Sequence, residues 1–167
     1  EFDKYNYEPK INKPYKEIIS DVKELFNNSI KRHLISDAPI GTFLSGGLDS
    51  SIITAVAAQY KTDLQTLSLV FDEKELSEEK YQDLIVKKYN TKHTKYLINE
   101  SLFLDNIDDY FKAMEQPTID GLNTYFVSKA AKDNGLTTVL SGVGGDEIFY
   151  GYPSFKDGKT LEFLTKI

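Results

Sequence analysis

Apolar side chains along the chain follow helical spacing in some stretches and fill short continuous runs in others. Pro14 suits the first turn of a helix, where its missing N–H costs nothing. From there Ile18, Ile19, Val22, Leu25, Phe26, Ile30 and Leu34 recur at helical spacing and predict a helix with one buried stripe. Pro39 closes the connection, and "IGTFLS" (40–45) predicts an inner strand. Ile52, Ile53, Val56 and Ala57 predict a second helix, and "LQTLSLVF" (64–71) the next strand. The acidic turn "DEKELSEE" leads into a helix carrying Tyr81, Leu84, Ile85 and Tyr89. "HTKYLI" (93–98) predicts a third strand, and "LFLDNIDDYFKAM" a further helix. "LNTYFVSKAAKDNG" predicts a helix stopped by Gly135. "LTTVLS" (136–141) is the fourth strand, followed at once by "GVGGDEIFYGY".

Strand and helix alternate, and no Asn-Gly or Asp-Gly turn joins neighbouring strands. This pattern predicts an α/β fold, a parallel twisted sheet with helices on both faces. Ligands of such sheets sit beyond the carboxyl ends of the strands. The glycine pairs at 46–47 and 144–145 both follow strands and are expected to face one crevice. Residues 1–13 are polar and aperiodic, a linker; residues 14–167 form the folded part.

The first glycine loop carries the chemistry. In "FLSGGLDSSIITAVAAQY" (43–60), adjacent glycines let the backbone approach a ligand closely. The helix that follows presents free N–H groups, and its dipole favours an anion by ~0.3–1 kcal/mol. Ser45, Ser50 and Ser51 add hydroxyls. No lysine stands where the common phosphate loop GxxxxGKS/T would need one. Asp49 repels a phosphate unless a cation lies between them, and Mg²⁺ takes one or two carboxylates together with phosphate oxygens. The loop is therefore expected to hold metal-bound pyrophosphate, and the bond that breaks in ATP lies between the α and β phosphates.

Composition narrows the classes. The chain has 167 residues with 40 % hydrophobic and 28 % charged content, an ordinary globular balance. No apolar run is long enough to span a membrane, and no signal peptide is visible. Net charge is −6 with no basic stripe, so no nucleic-acid surface is expected. There is no cysteine, which removes disulfides, thiol catalysis and thiolate metal sites and fits a reducing, cytoplasmic setting. The opening "EFDKYNYEPKINKP" reads as entered mid-protein, so a piece of a longer chain is expected.

The S-G-G-x-D-S spacing resembles the pyrophosphate loop of the ATP pyrophosphatase superfamily. "VLSGVGGDEIFYGY" (139–152) is similar to the second signature, LSGxGxDExFxGY, of the asparagine synthetase C-terminal domain. The resemblance runs from about Tyr15 to the end. It implies a carboxylate (aspartate or a related acid) adenylylated by ATP with Mg²⁺, after which ammonia from a glutaminase domain displaces AMP. That glutaminase half and a distal helical region are expected to lie outside this chain, leaving apolar surface exposed and favouring self-association as a homo-oligomer. By motif, Ser45, Gly46, Gly47, Asp49 and Ser50 would hold pyrophosphate, and Asp49 and Asp146 the metal. Leu44 and Leu69 match positions that contact adenine or ribose, and Ser141 and Gly142 match AMP-contacting positions. Glu147 would orient the second loop. Helix capping alone is the alternative role for Asp146. Tyr81 and Glu115 resemble the Tyr–Glu proton shuttle of lactam-forming relatives; helix core and helix end are the alternatives.

The chain departs from that pattern in places. Val143 stands where these synthetases usually have Glu, and Asp120 lies in "EQPTIDGLNTYF", where a basic, hydroxyl-rich stretch serves free aspartate. A divergent branch amidating another carboxylate, such as a sugar acid, is the expectation from these positions. A nucleotide-binding module without turnover is the competing class. A tRNA-adenylylating relative is disfavoured by the acidic charge.

Overall fold

The computed structural model describes residues 12–72, 78–118, 120–149 and 151–153. Helix α1 (Tyr15–His33) precedes strand β1 (Ile40–Phe43), helix α2 (Leu48–Tyr60) and strand β2 (Gln65–Phe71). Helix α3 (Glu79–Tyr89), strand β3 (Lys92–Ile98) and helices α4 (Glu100–Ala113) and α5 (Gly121–Asp133) follow. Strand β4 (Thr138–Leu140) and helix α6 (Gly145–Phe149) complete the order. Most of the acidic turn expected at 72–79, and the linker up to position 11, lie outside the described residues.

All pairings are parallel, in the order β3-β2-β1-β4. Gly41 of the central β1 is flanked by Gln65 on one side and Val139 on the other. The chain steps outward from β1 to β3, then returns to lie on β1's free side as β4. Right-handed crossovers in opposite directions put their helices on opposite faces. Side-chain contacts agree. The Thr42 and Thr54 hydroxyls bond at 2.9 Å, and Lys95 pairs with Asp83 (2.8 Å) and Glu79 (3.2 Å), placing α2 and α3 on one face. Tyr96 donates to Asp133 at 3.1 Å, placing α5 on the other.

The α1/α2 side of the core gathers Ile30, Val56, Ala57 and Leu64, with Phe26 and Leu34 packed against them. Phe126, Ala130, Ala131 and Leu136 are buried on the α5 side. The predicted stripe of α1 is only half realised. Ile30 is buried, whereas Ile19, Val22 and Leu25 are exposed because no described element lies beneath that end of the helix. The face of α3 also differs from expectation. Tyr81 and Leu84 point outward, and the inward stripe is Gln82, Ile85, Val86 and Tyr89. The Lys95 ion pairs with Glu79 and Asp83 fix that rotation. Gly135 stops α5 at φ +71°, as its sequence position predicts.

Helix α4 starts at Asn99, whose side chain accepts from the Leu102 N–H at 2.9 Å. Asn99→Ala is expected to cost about 1 kcal/mol, read as a lowered urea midpoint with unchanged slope.

His93 is half-buried on the α3 face, its Nδ1 hydrogen-bonded to the Thr66 hydroxyl at 2.9 Å while Nε2 has no partner among the described residues. Burial chiefly, and then Lys95, hold its pKa below the ordinary value, against the opposing pull of Asp83 and of the Thr66 backbone. The unfolded chain therefore takes up this proton first on acidification. Stability is expected to fall as pH drops below about 6.5 and to level off beneath the lowered folded value. Urea titrations at several pH values should show this slope, and His93→Gln should flatten it.

Candidate active site

The turn of direction at β1 and β4 leaves a crevice between the loops that leave these two strands. Beyond β1, the Leu44 N–H donates to the Leu67 carbonyl at 2.8 Å and the Ser68 hydroxyl donates to the Leu44 carbonyl. Leu44 is thereby held fully buried, 0 % exposed. Leu44, expected near adenine or ribose, thus forms the floor beneath the glycine loop. Leu69 lies instead at a 540 Å³ cavity with Phe71, Ile98, Phe103, Leu122 and Phe126.

The glycine loop is braced from within. The Ser45 and Ser50 hydroxyls bond at 2.9 Å, Ser50 Oγ donates to the Gly47 carbonyl at 3.2 Å, and the Gly47 N–H donates to Ser45 Oγ at 3.2 Å. Ser50 is buried and committed to the loop, while Ser45 is exposed. Gly46 has φ +99°, and a Cβ there would lie 3.0 Å from both Cβ and the carbonyl oxygen of Glu78. The N-cap of α2 is Gly47, with no side-chain cap, so the first N–H groups of the helix are left for an anion.

The second loop closes onto the first. Val143 N–H donates to Ser141 Oγ at 3.3 Å and Gly145 N–H to the Gly142 carbonyl at 3.2 Å. A Cβ on Gly142 would come within 3.1 Å of the Asp49 Cβ and the Ser50 nitrogen. A Cβ on Gly145 would collide with the Asp49 carboxylate itself. Asp49 therefore lies against the residue that precedes Asp146. The Asp146 carboxylate in turn fills the space beside Gly151. Both aspartates are half-buried, and neither carboxylate has a hydrogen bond or ion pair among the described residues. Glu147 accepts from the Tyr152 hydroxyl at 2.9 Å, and this bond holds the Tyr152 pKa above its ordinary value.

Two half-buried carboxylates on loops packed together, with no cationic partner among the described residues, suit a divalent cation. No group of three or more His, Cys, Asp or Glu side chains suited to a metal occurs among the described residues. A pair of carboxylates beside free N–H groups fits Mg²⁺ that completes its shell with phosphate oxygens, and not a protein-only cage.

The structure separates Tyr81 from Glu115. Tyr81 is exposed on α3, on one face of the sheet, and Glu115 lies at a second cavity with Tyr110, Tyr125 and Ser128 in the α4–α5 layer. No bond or shared cavity joins them among the described residues. Val143 is 88 % exposed. Sequence reasoning missed Gln82, which donates from Nε2 to the Ser45 carbonyl at 3.0 Å. Its signal was a polar residue three positions before Ile85 on the inward stripe.

The sequence profile of the family described as asparagine synthase matches residues 21–165. A protein of Methanocaldococcus jannaschii, provisionally named glutamine-hydrolysing asparagine synthetase 2, is 37 % identical over 97 % of this chain and 32 % of its own length. Glutamine-hydrolysing asparagine synthetase 1 of Bacillus subtilis is 29 % identical over 98 % of this chain and 26 % of its own length. The chain thus spans about a third or less of these relatives. Among solved structures, an NH3-dependent NAD synthetase from Campylobacter jejuni aligns with TM-score 0.51 at 16 % identity, over 80 % of this chain and 60 % of the other. That likeness shows a shared fold. With both glycine signatures packed together at that place, and the profile covering nearly the whole chain, this chain belongs to the asparagine synthase family.

Proposed function

We propose that this chain is the nucleotide-binding part of an ATP-dependent, amide-forming ligase that adenylylates a carboxylate and releases pyrophosphate. The observation that carries the reading is the Asp49 carboxylate packed on Gly145, next to Asp146. The free Gly46 N–H and the N–H groups in the first turn of α2 would hold the β and γ phosphates as one unit. The cavity at Leu69 would take the adenosine end, and Ser141 and Gly142, on the loop that packs against Asp49 and Ser50, would contact the AMP part. Asp49 and Asp146 would hold Mg²⁺, which supplies charge neutralisation for the phosphate chain when bound. The substrate carboxylate attacks the α-phosphorus, the α–β bridging bond breaks, and pyrophosphate leaves in the grip of the loop. Ammonia then displaces AMP to leave the amide. Glu147, tied to Tyr152, keeps the second loop in register during these steps.

The acceptor is aspartate or a related acid. Asp120 in the α4–α5 connection and the exposed apolar Val143 favour a carboxylate other than free aspartate, such as a sugar acid. The test uses the full-length protein with ATP, Mg²⁺ and a panel of carboxylates, measuring exchange of labelled pyrophosphate into ATP. Exchange that depends on one acid identifies the acceptor. ATP binding without exchange on any of them would make the chain a nucleotide-binding module without turnover.

A further inference from the structure

Gln82 is 2 % exposed, yet its side chain makes one hydrogen bond, to the Ser45 carbonyl, and its Oε1 has no donor among the described residues. An unpaired buried acceptor is destabilising, and an apolar side chain of the same shape would fill this space without it. The bond to Ser45 is what sets Gln82 apart from such a filler. In a trans peptide the C=O and the following N–H point in opposite directions. Holding the Ser45 carbonyl toward α3 turns the Gly46 N–H away from α3. Because α3 lies on the β2 side of this loop and the second glycine loop on the β4 side, that direction is into the crevice. The Gly46 N–H has no partner among the described residues. Glu78, in the same turn of α3, presses on Gly46 from the same side, so the peptide is held at two points.

We infer that Gln82 is a positioning residue: its amide presets the Ser45–Gly46 peptide so that the Gly46 N–H donates to pyrophosphate. The inference rests on the nucleotide reading above and adds to it a residue outside either glycine signature. A preset donor is ordered before the ligand arrives, so its loss is read in affinity for the phosphate chain and not in the handling of the acceptor.

The test compares the full-length wild type with Gln82→Met and Gln82→Glu, using magnesium pyrophosphate and ATP as probes. Gln82→Met keeps shape and removes the donor; Kd for pyrophosphate and KM for ATP are expected to rise about tenfold, with KM for the carboxylate acceptor unchanged. Gln82→Glu sets a carboxylate against the Ser45 carbonyl. Its loss should be larger at pH 8 than at pH 6, since a neutral carboxyl restores a donor. In the wild type, the Gly46 amide resonance should move on addition of pyrophosphate, a readout that does not depend on either variant folding. Wild-type affinity in a folded Gln82→Met protein, or a Gly46 amide that ignores bound pyrophosphate, would overturn this role while leaving the nucleotide reading in place. A wild type that binds neither pyrophosphate nor ATP would sink both.

Discussion

Asp49→Asn is expected to lower carboxylate-dependent ATP–pyrophosphate exchange in the full-length enzyme by on the order of a thousandfold while leaving the fold intact. The argument is electrostatic. Asp49 and Asp146 are half-buried, sit in loops packed on one another, and have no cationic partner among the described residues. A phosphate chain brought to free N–H groups beside them would meet repulsion without an intervening divalent ion. Removing one carboxylate removes half of the protein's hold on that ion. The stability effect should be small. Asp49 lies in the first turn of α2, where the helix dipole favours its charge, and this offsets the absence of a cationic partner; without divalent cation the unfolding free energy of Asp49→Asn is expected to stay within about 0.5 kcal/mol of wild type. A merely structural Asp49 would lose activity and stability together. Thermal melts with and without Mg²⁺, beside the exchange assay, separate the two; exchange retained within tenfold would remove Asp49 from the metal.

Gly145→Ala is expected to cost on the order of a hundredfold in the same exchange reaction. The added Cβ would occupy the space now taken by the Asp49 carboxylate. Either that carboxylate swings away or α6 shifts outward, and either movement spoils the spacing of the two acidic groups. Because the effect acts through Asp49, it should vanish in an Asp49→Ala background: adding Gly145→Ala there should change little. A double-mutant cycle measures this coupling directly. Additive losses would mean that Gly145 acts independently of Asp49, and the packing of the two loops would then have no bearing on catalysis.

Much of this architecture was legible in the residues. Short apolar runs and period-3.6 spacing placed strands β1–β4 and helices α1–α5, though not α6, because burial on both faces of a parallel sheet demands largely apolar strands such as Leu67–Val70. Patterning failed where apolar residues exceed the surface available to cover them. Ile19, Val22 and Leu25 have a helical rhythm but no described neighbour. On α3 the rhythm was ambiguous by one position, and Gln82 faces inward in place of Tyr81 because its amide bonds Ser45 while Glu79 and Asp83 bind Lys95. A polar side chain cannot announce, along the chain, a partner 37 positions away.

The two glycine signatures, each directly after a strand, and the acidic residue within each were set by local chemistry, since a backbone that must admit phosphate needs glycines and a magnesium ion needs carboxylates. Which carboxylate meets which loop is a matter of three-dimensional packing. The reversal of strand order at β1 brings Asp49 onto Gly145, buries Leu44 beneath the loop, parts Tyr81 from Glu115 across the sheet, and lays Gln82 under Ser45. These contacts join residues far apart in the chain, and their energies exist only once the sheet has closed.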